Sequence, residues 1–134
     1  MTTSPFPPSP FPPLPIPPAA VPETGGPRLG NGSQPASLEG IVRIANEKGY
    51  SDVHLGVGEA PRFRASGEIA GTGWPVTDAA TFNGWMREML SPGAIDAFQR
   101  DKEFDGSHAF PFVRVRINML DSLRGPAMVL RLIP

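Results

Sequence analysis

Hydrophobic and polar positions alternate strictly along VRVRINM, and this period of two predicts a β-strand. After the turn DSLRG comes a short run, AMVLRLI, that is apolar except for Arg131 and rich in β-branched and aliphatic residues, which predicts the second strand of a long hairpin. If the two strands pair, one face of the hairpin is apolar and the other carries cations. We expect three arginines on that polar face: Arg114, Arg116 and Arg131.

The rest of the folded segment alternates between helical and strand patterns. Apolar residues recur at helical spacing over 37–49, 78–90 and 91–102, with Ser37, Asp78 and Ser91 as the expected caps. Strands are predicted in YSDVHLGVG, in a hairpin of 62–65 and 68–70 that turns at Ser66-Gly67, and in KEFDGSHAF. Runs of strands with grouped helices predict an α+β domain with a mostly antiparallel sheet of about six strands.

The first 36 residues have a different composition. They contain 12 of the 18 prolines, nine of them in the short repeat SPFPP, SPFPP, LPIPP, and only two charged residues, Glu23 and Arg28. Proline removes a backbone donor and fixes φ, so this segment forms neither helix nor sheet ladder. We predict a disordered proline-rich arm over 1–36 and a folded domain over 37–134. The arm is either a plain flexible extension or a docking peptide that offers Phe6 and Phe11 as anchors.

Charge and cysteine content exclude several classes of partner and site. The formal net charge is -1, which argues against nucleic acid as a partner. The sequence has no cysteine, which excludes disulfides and thiolate ligands and fits a cytoplasmic location. Neither a membrane-spanning apolar run nor a signal peptide is recognisable, so we expect no direct membrane insertion.

The clustered arginines allow two interpretations. Planar guanidinium groups bind carboxylate or phosphate through two bonds at once, which points to an acidic partner. Alternatively, they belong to an ordinary solvated sheet face with Glu103 and Asp105 as neighbouring anions. Other chemistry is not supported: Ser51 and His54 point to opposite faces of one strand, and we expect no metal site.

Several strings in this order resemble one protein family. GYSDVHLGVGEAPRFRASGEI resembles the opening of the type II/type IV secretion ATPases, with its S-D-x-H run and its R-x-x-G hairpin. KEFDGSHAF and VRVRINMLDSLRGPAMVLRLIP then resemble the F-R-V-N, R-G and R-x-I-P pieces that end the N-terminal domain of the PilT family, the retraction ATPases of type IV pili. The resemblance covers 37–134, and it implies a PAS-like fold for this domain.

The resemblance also implies a role for particular residues. In the family this domain closes over ATP and Mg held by a RecA-like domain, and it supplies arginines to the phosphates. Arg116 and Arg131 match those positions, with Arg114 and Arg124 as further candidates. A second set matches the family's structural motifs: Ser51, Asp52, His54, Gly67, Asn118 and Gly125.

Partners and activity follow from the same resemblance. It implies neighbouring subunits of a hexamer and the pilus base machinery of twitching motility, at the cytoplasmic face of the inner membrane. The sequence contains neither a Walker A nor a Walker B motif, so we expect no enzymatic activity and no cofactor for this chain in isolation. Two alternatives stay open: a stand-alone PAS-like interaction or ligand-binding module, and a truncated, non-functional gene product.

Overall fold

The computed structural model describes residues 33–134, which form a six-stranded sheet and three helices. The strand order is β3-β2-β1-β6-β5-β4, and every strand pair is antiparallel. The predicted α+β class and strand number are thereby confirmed. Most of the proline-rich arm, with Phe6 and Phe11, lies outside the described residues. The elements are α1 Leu38–Glu47, β1 Asp52–Gly56, β2 Arg62–Ala65, β3 Glu68–Gly71, α2 Ala79–Met89, α3 Pro92–Asp101, β4 Glu103–Ala109, β5 Arg114–Ser122 and β6 Gly125–Ile133.

All three helices begin where the sequence predicts. Ser37, Asp78 and Ser91 have extended backbones, and each side chain accepts a hydrogen bond from a backbone N–H in the first turn. The start of α1 has a second acceptor that local patterns do not reveal. The Glu88 carboxylate on α2 accepts from the N–H of Leu38 at 2.7 Å and of Glu39 at 3.1 Å. This contact joins α1 to α2 and places a negative charge at the positive end of a helix.

The helices cover one face of the sheet and leave the other open. The apolar positions of β1, β5 and β6 pack in one core with the inner faces of the helices. Every second strand residue therefore points away from the helices, and these residues form what we call the open face. Burial of this core is the main favourable contribution to folding. The largest completely buried side chains include Trp85, Phe63, Phe82, Phe98 and Leu38.

The β2–β3 hairpin turns at Ser66 and Gly67, as predicted. Both residues have positive φ, 53° and 83° respectively. Two consecutive left-handed residues are the signature of a type I′ turn, which matches the right-handed twist of paired strands. The loop that follows β3 is fixed by contacts that the sequence patterns do not reveal. Thr72 Oγ1 donates to the Pro61 carbonyl at 2.7 Å, and Val57 and Thr77 form a parallel bridge.

Within residues 33–134, no helix is long and apolar enough to cross a membrane.

Candidate functional site

The register of the last hairpin places two predicted arginines side by side. Arg116 on β5 is the direct partner of Arg131 on β6, and both side chains lie on the open face. Arg114 lies two residues before Arg116 on the same face, opposite Ile133. The three arginines that the strand alternation places on one face therefore do lie near one another in the sheet. Like charges on directly opposite positions repel, so their proximity requires a compensating anion.

Part of that compensation comes from Asp52 on the neighbouring strand. Asp52 pairs with Arg131 across β1 and β6, and Arg131 Nε donates to its Oδ1 at 3.0 Å. Ser51 Oγ donates to the second carboxylate oxygen, also at 3.0 Å. The Asp52 side chain is only 6% exposed, whereas that of Arg131 is 69% exposed. Asp52 thus serves as a buried anchor for an exposed guanidinium.

Asp52 is buried although it alternates along β1 with the core residues Val53 and Leu55. Its side chain does belong to the open face, but β6 runs beside it and Arg131 lies over it. A carboxylate can be buried there because charged and hydroxyl donors satisfy both of its oxygens.

A groove of about 370 Å³ surrounds this pair on the open face. Three arginines and two aspartates line it, which gives the lining one net positive charge when His54 is neutral. Within the described part of the chain, the side chains of Arg64 and Arg116 make no hydrogen bond and no ion pair shorter than 4.0 Å. Two cations are therefore available to an anionic ligand. The lining consists of Asp52, His54, Arg64, Asp105, Arg116, Asn118, Val129 and Arg131.

His54 contributes a neutral ring to the groove at physiological pH. Burial lowers the pKa of His54 below its ordinary value of 6.5, Arg62 lowers it further, and Asp52 opposes the shift. Its Nε2 is buried and has no hydrogen-bond partner among residues 33–134. His108 lies on the other side of the sheet, where its ring packs edge-to-face on Phe110 at 4.6 Å. The two histidines therefore cannot share a ligand.

Metal binding finds no support in residues 33–134, where no group of three or more His, Cys, Asp or Glu side chains is placed to hold an ion. Ser51 and His54 also lack the arrangement of a nucleophile and its base. The Ser51 hydroxyl lies 3.0 Å from Asp52 Oδ2 and 3.0 Å from the Arg64 carbonyl, and its single proton is directed at these two acceptors and away from His54.

Of the remaining predicted residues, one lines the groove and the others lie in turns. Asn118 lines the groove, but Arg124 lies in the turn at the far end of the hairpin, where its guanidinium approaches Glu59 at 3.9 Å. The structure does not bring Arg124 together with Arg116 and Arg131. Gly67 and Gly125 both have positive φ, which explains why glycine suits these turn positions.

Arg64 is the groove residue that the sequence patterns missed. Its own strand shows the relevant signal, because Arg62 and Arg64 alternate with buried Phe63. What local patterns do not reveal is that β1 lies between β2 and β6. That strand order brings Arg64 to the side of Asp52 opposite Arg131.

No family model matches the sequence, and no curated protein is found to be similar to it. Solved structures are similar to this domain in fold, and they indicate the class of protein in which that fold occurs. The described domain has a fold found in type II/IV secretion ATPases, consistent with an N-terminal domain of such an ATPase. One of these structures is the pilus retraction motor PilT with bound ADP, which is 26% identical with a TM-score of 0.66. The match covers 73% of this chain and 29% of that one.

Two further structures share the fold at lower identity. The ATPase DotB of Legionella pneumophila is 17% identical with a TM-score of 0.67, covering 75% of this chain and 31% of that one. The ATPase DotB of Yersinia pseudotuberculosis is 13% identical with a TM-score of 0.57, covering 75% and 32%. In each case the matched region spans about a third of the larger ATPase.

Proposed function

We propose that this chain is the N-terminal domain of a type IV pilus retraction ATPase, and that Arg116 and Arg131 contact the phosphates of ATP. A RecA-like domain outside these 134 residues holds the nucleotide in this proposal. The observation that carries it is the pair of directly opposed arginines on an uncovered sheet face. The likeness to the retraction motor PilT supports the choice of ligand.

The two arginines suit this task for different reasons. Arg116 makes no ion pair within residues 33–134, so its guanidinium is available for a phosphate. Arg131 is oriented by Asp52 through Nε, which leaves its terminal nitrogens free to donate. Negative charge builds on the phosphoryl group as it transfers, and an arginine that reaches it from a rigid element accelerates the reaction by about 10³–10⁵.

The described residues of this domain offer no set of ligands for the magnesium ion that accompanies ATP. Asp52 and Asp105 line the groove among three arginines, and the described residues contain no cluster suited to a metal. Any Mg²⁺ bound with ATP would therefore take its protein ligands from the RecA-like domain. The contribution of this chain is binding and orientation of phosphate by guanidinium groups.

The proposal extends to the assembly. Closure of this domain over nucleotide held by a RecA-like domain would convert ATP turnover into movement of one domain against another. In this proposal the subunits form a hexamer at the cytoplasmic face of the inner membrane, and they contact the pilus base machinery during twitching motility.

The first test is to determine the DNA sequence beyond the Pro134 codon in all three frames. A reading frame that encodes G-x-x-x-x-G-K-[ST] supplies the motor domain for an enzymatic test of the joined protein. In that protein Arg116→Gln should lower kcat by about 10³ or more. Arg100→Gln is the matched control, since Arg100 lies exposed on α3 beside Asp101 and away from the groove. Equal activity of the two variants would refute the phosphate role.

The isolated chain provides a second test. It should bind ATP only weakly, in the millimolar range, and should show no turnover, because the groove supplies only part of the contacts that a nucleotide needs. Isothermal or NMR titration measures the binding, and a phosphate-release assay measures turnover. Turnover by this chain that disappears in Arg116→Ala would contradict an accessory role.

A second candidate function rests on a groove between α2 and α3. It has a volume of about 460 Å³, within the range of small-molecule sites, and Met86, Leu90 and Ile95 provide much of its lining. A stand-alone ligand-binding module would use such a groove. Native mass spectrometry of the protein purified from its host should then show a bound small molecule, and a mass equal to the bare chain would count against this candidate.

A further inference from the structure

Four charged side chains form one continuous row across the open face. The strand registers pair Arg64 with Asp52, Asp52 with Arg131, and Arg131 with Arg116. Side chains at directly paired positions stand beside one another on the same face of a sheet. The row therefore crosses β2, β1, β6 and β5 at nearly right angles to the strands.

The centre and the ends of this row differ in charge. The central pair, Asp52 and Arg131, is joined by the 3.0 Å hydrogen bond and is electrically balanced. At the two ends, Arg64 and Arg116 make no ion pair within residues 33–134. Arg62 provides the contrast: it lies on the same strand and face as Arg64, but its guanidinium pairs with Glu59 at 3.5 Å.

The spacing of the end residues indicates the shape of a ligand. Three strand intervals separate Arg64 from Arg116, a distance of about 14 Å between backbones. Both are long side chains that can lean toward the centre of the groove. A single phosphate at the Arg116–Arg131 pair leaves Arg64 without a partner. A chain of linked phosphates that lies along the row can meet a guanidinium at each end and Arg131 in the middle.

We propose that Arg64 is a third phosphate-contacting residue, so that Arg64, Arg131 and Arg116 together bind a linear polyphosphate along the row. This inference rests on the proposed function for the class of ligand, and it adds both a residue and an orientation. The β2–β3 hairpin, which carries Arg64, becomes part of the binding surface. Asp52 is a positioning residue that holds the middle arginine.

The experiment compares two probes, inorganic tripolyphosphate and orthophosphate, by NMR titration of the 134-residue chain at low salt. Arg64→Gln should weaken tripolyphosphate binding by about tenfold, because it removes a charge-assisted contact, and should change orthophosphate binding by less than about twofold. Arg62→Gln is the matched control. It removes the same charge two residues away, and it should leave both affinities within about twofold.

Arg64→Lys keeps the charge and most of the length of the side chain, and it removes the planar guanidinium that can donate two hydrogen bonds to one phosphate. It should lose part of the tripolyphosphate affinity and retain the fold, which the amide spectrum reports directly. This variant separates a direct contact from an effect of misfolding. Full tripolyphosphate affinity in both Arg64 variants would overturn the inference, and so would an equal loss in Arg62→Gln.

The outcomes also separate this inference from the proposed function. If Arg116→Gln weakens tripolyphosphate binding and Arg64→Gln does not, the third contact is wrong and the proposed function stands. If neither substitution changes binding of either probe, the open face does not bind phosphate at all, and both proposals fail.

Discussion

A buried carboxylate determines how the open face presents its central arginine. Asp52 accepts from Arg131 Nε and from Ser51 Oγ, so both carboxylate oxygens are occupied. Burial excludes water from one side of this pair, and the pair should therefore contribute more to stability than an ion pair between two exposed side chains.

A double-mutant cycle tests this expectation. The substitutions Asp52→Asn and Arg131→Gln, singly and together, should give a coupling energy of about 1 kcal/mol from urea unfolding. The control cycle uses Glu39 and Arg43, an exposed pair at 3.1 Å on α1, for which we expect about 0.3–0.5 kcal/mol. Coupling at Asp52 no larger than on α1 would mean that burial does not strengthen the contact.

His54 should make stability depend on pH. Because burial and Arg62 lower the pKa of His54, the folded protein favours the neutral ring, and the unfolded chain takes up the proton first as pH falls. This stability is present above pH 6.5 and is lost as pH falls through 6.5 toward the lower folded value. Urea unfolding at about pH 7.5 and pH 5.5 should show a smaller loss for His54→Gln than for the natural protein.

A parallel loss in both proteins would assign the pH dependence to other groups. The charged groups around His54 are Arg62, Asp52, Arg64 and Glu59. The carboxylate of Asp78 also has a lowered pKa, because the Thr81 N–H donates to it. That group releases its stabilisation only as pH falls below its ordinary value of 3.8, outside the range of this experiment.

The β2–β3 hairpin shows how turn chemistry determines an element. Ser66 and Gly67 both occupy the left-handed region, and no atom lies within 4 Å of the position that a Gly67 Cβ would take. Any cost of a side chain there therefore arises from the local backbone conformation and not from a clash with residues elsewhere in the domain. The local sequence is sufficient to predict this hairpin, since serine followed by glycine between two short alternating runs indicates a tight turn.

Gly67→Ala should destabilise the domain by about 1–2 kcal/mol, because alanine is strained in the left-handed region. Gly71→Ala is the matched control: its Cβ would also meet nothing within 4 Å, and its backbone needs no positive φ. Thermal melts of the two variants should differ by several degrees. Equal melting temperatures would show that the turn adapts without cost.

Features that depend on residues far apart in the chain cannot be predicted from local sequence patterns. Alternation and capping signals locate all six strands and all three helices, because these patterns are local. Strand order is a property of long-range pairing, so the insertion of β1 between β2 and β6 leaves no local trace. The Asp52–Arg131 contact and the placement of Arg64 both depend on that insertion.

At the scale of the whole molecule, stability should reside in the domain over 37–134. The proline-rich composition of the arm indicates that it contributes little to the core. Deletion of residues 1–30 should therefore leave the melting temperature within about 2 °C of that of the full chain. Differential scanning calorimetry measures this directly, and a large drop would show that the arm packs on the domain.

The central position of β6 has a consequence for how the protein is made. β1 and β6 pair from Asp52–Arg131 to Gly56–Ala127, so the middle of the sheet joins segments roughly 75 residues apart in the chain. On the ribosome, β1, β2 and β3 emerge first and can pair only with one another, as a three-stranded sheet. The later strands β4 and β5 can pair as a separate hairpin before β6 emerges. The sheet can become continuous only once residues 127–131 of β6 have left the exit tunnel, so its central ladder forms after all six strands have been synthesised.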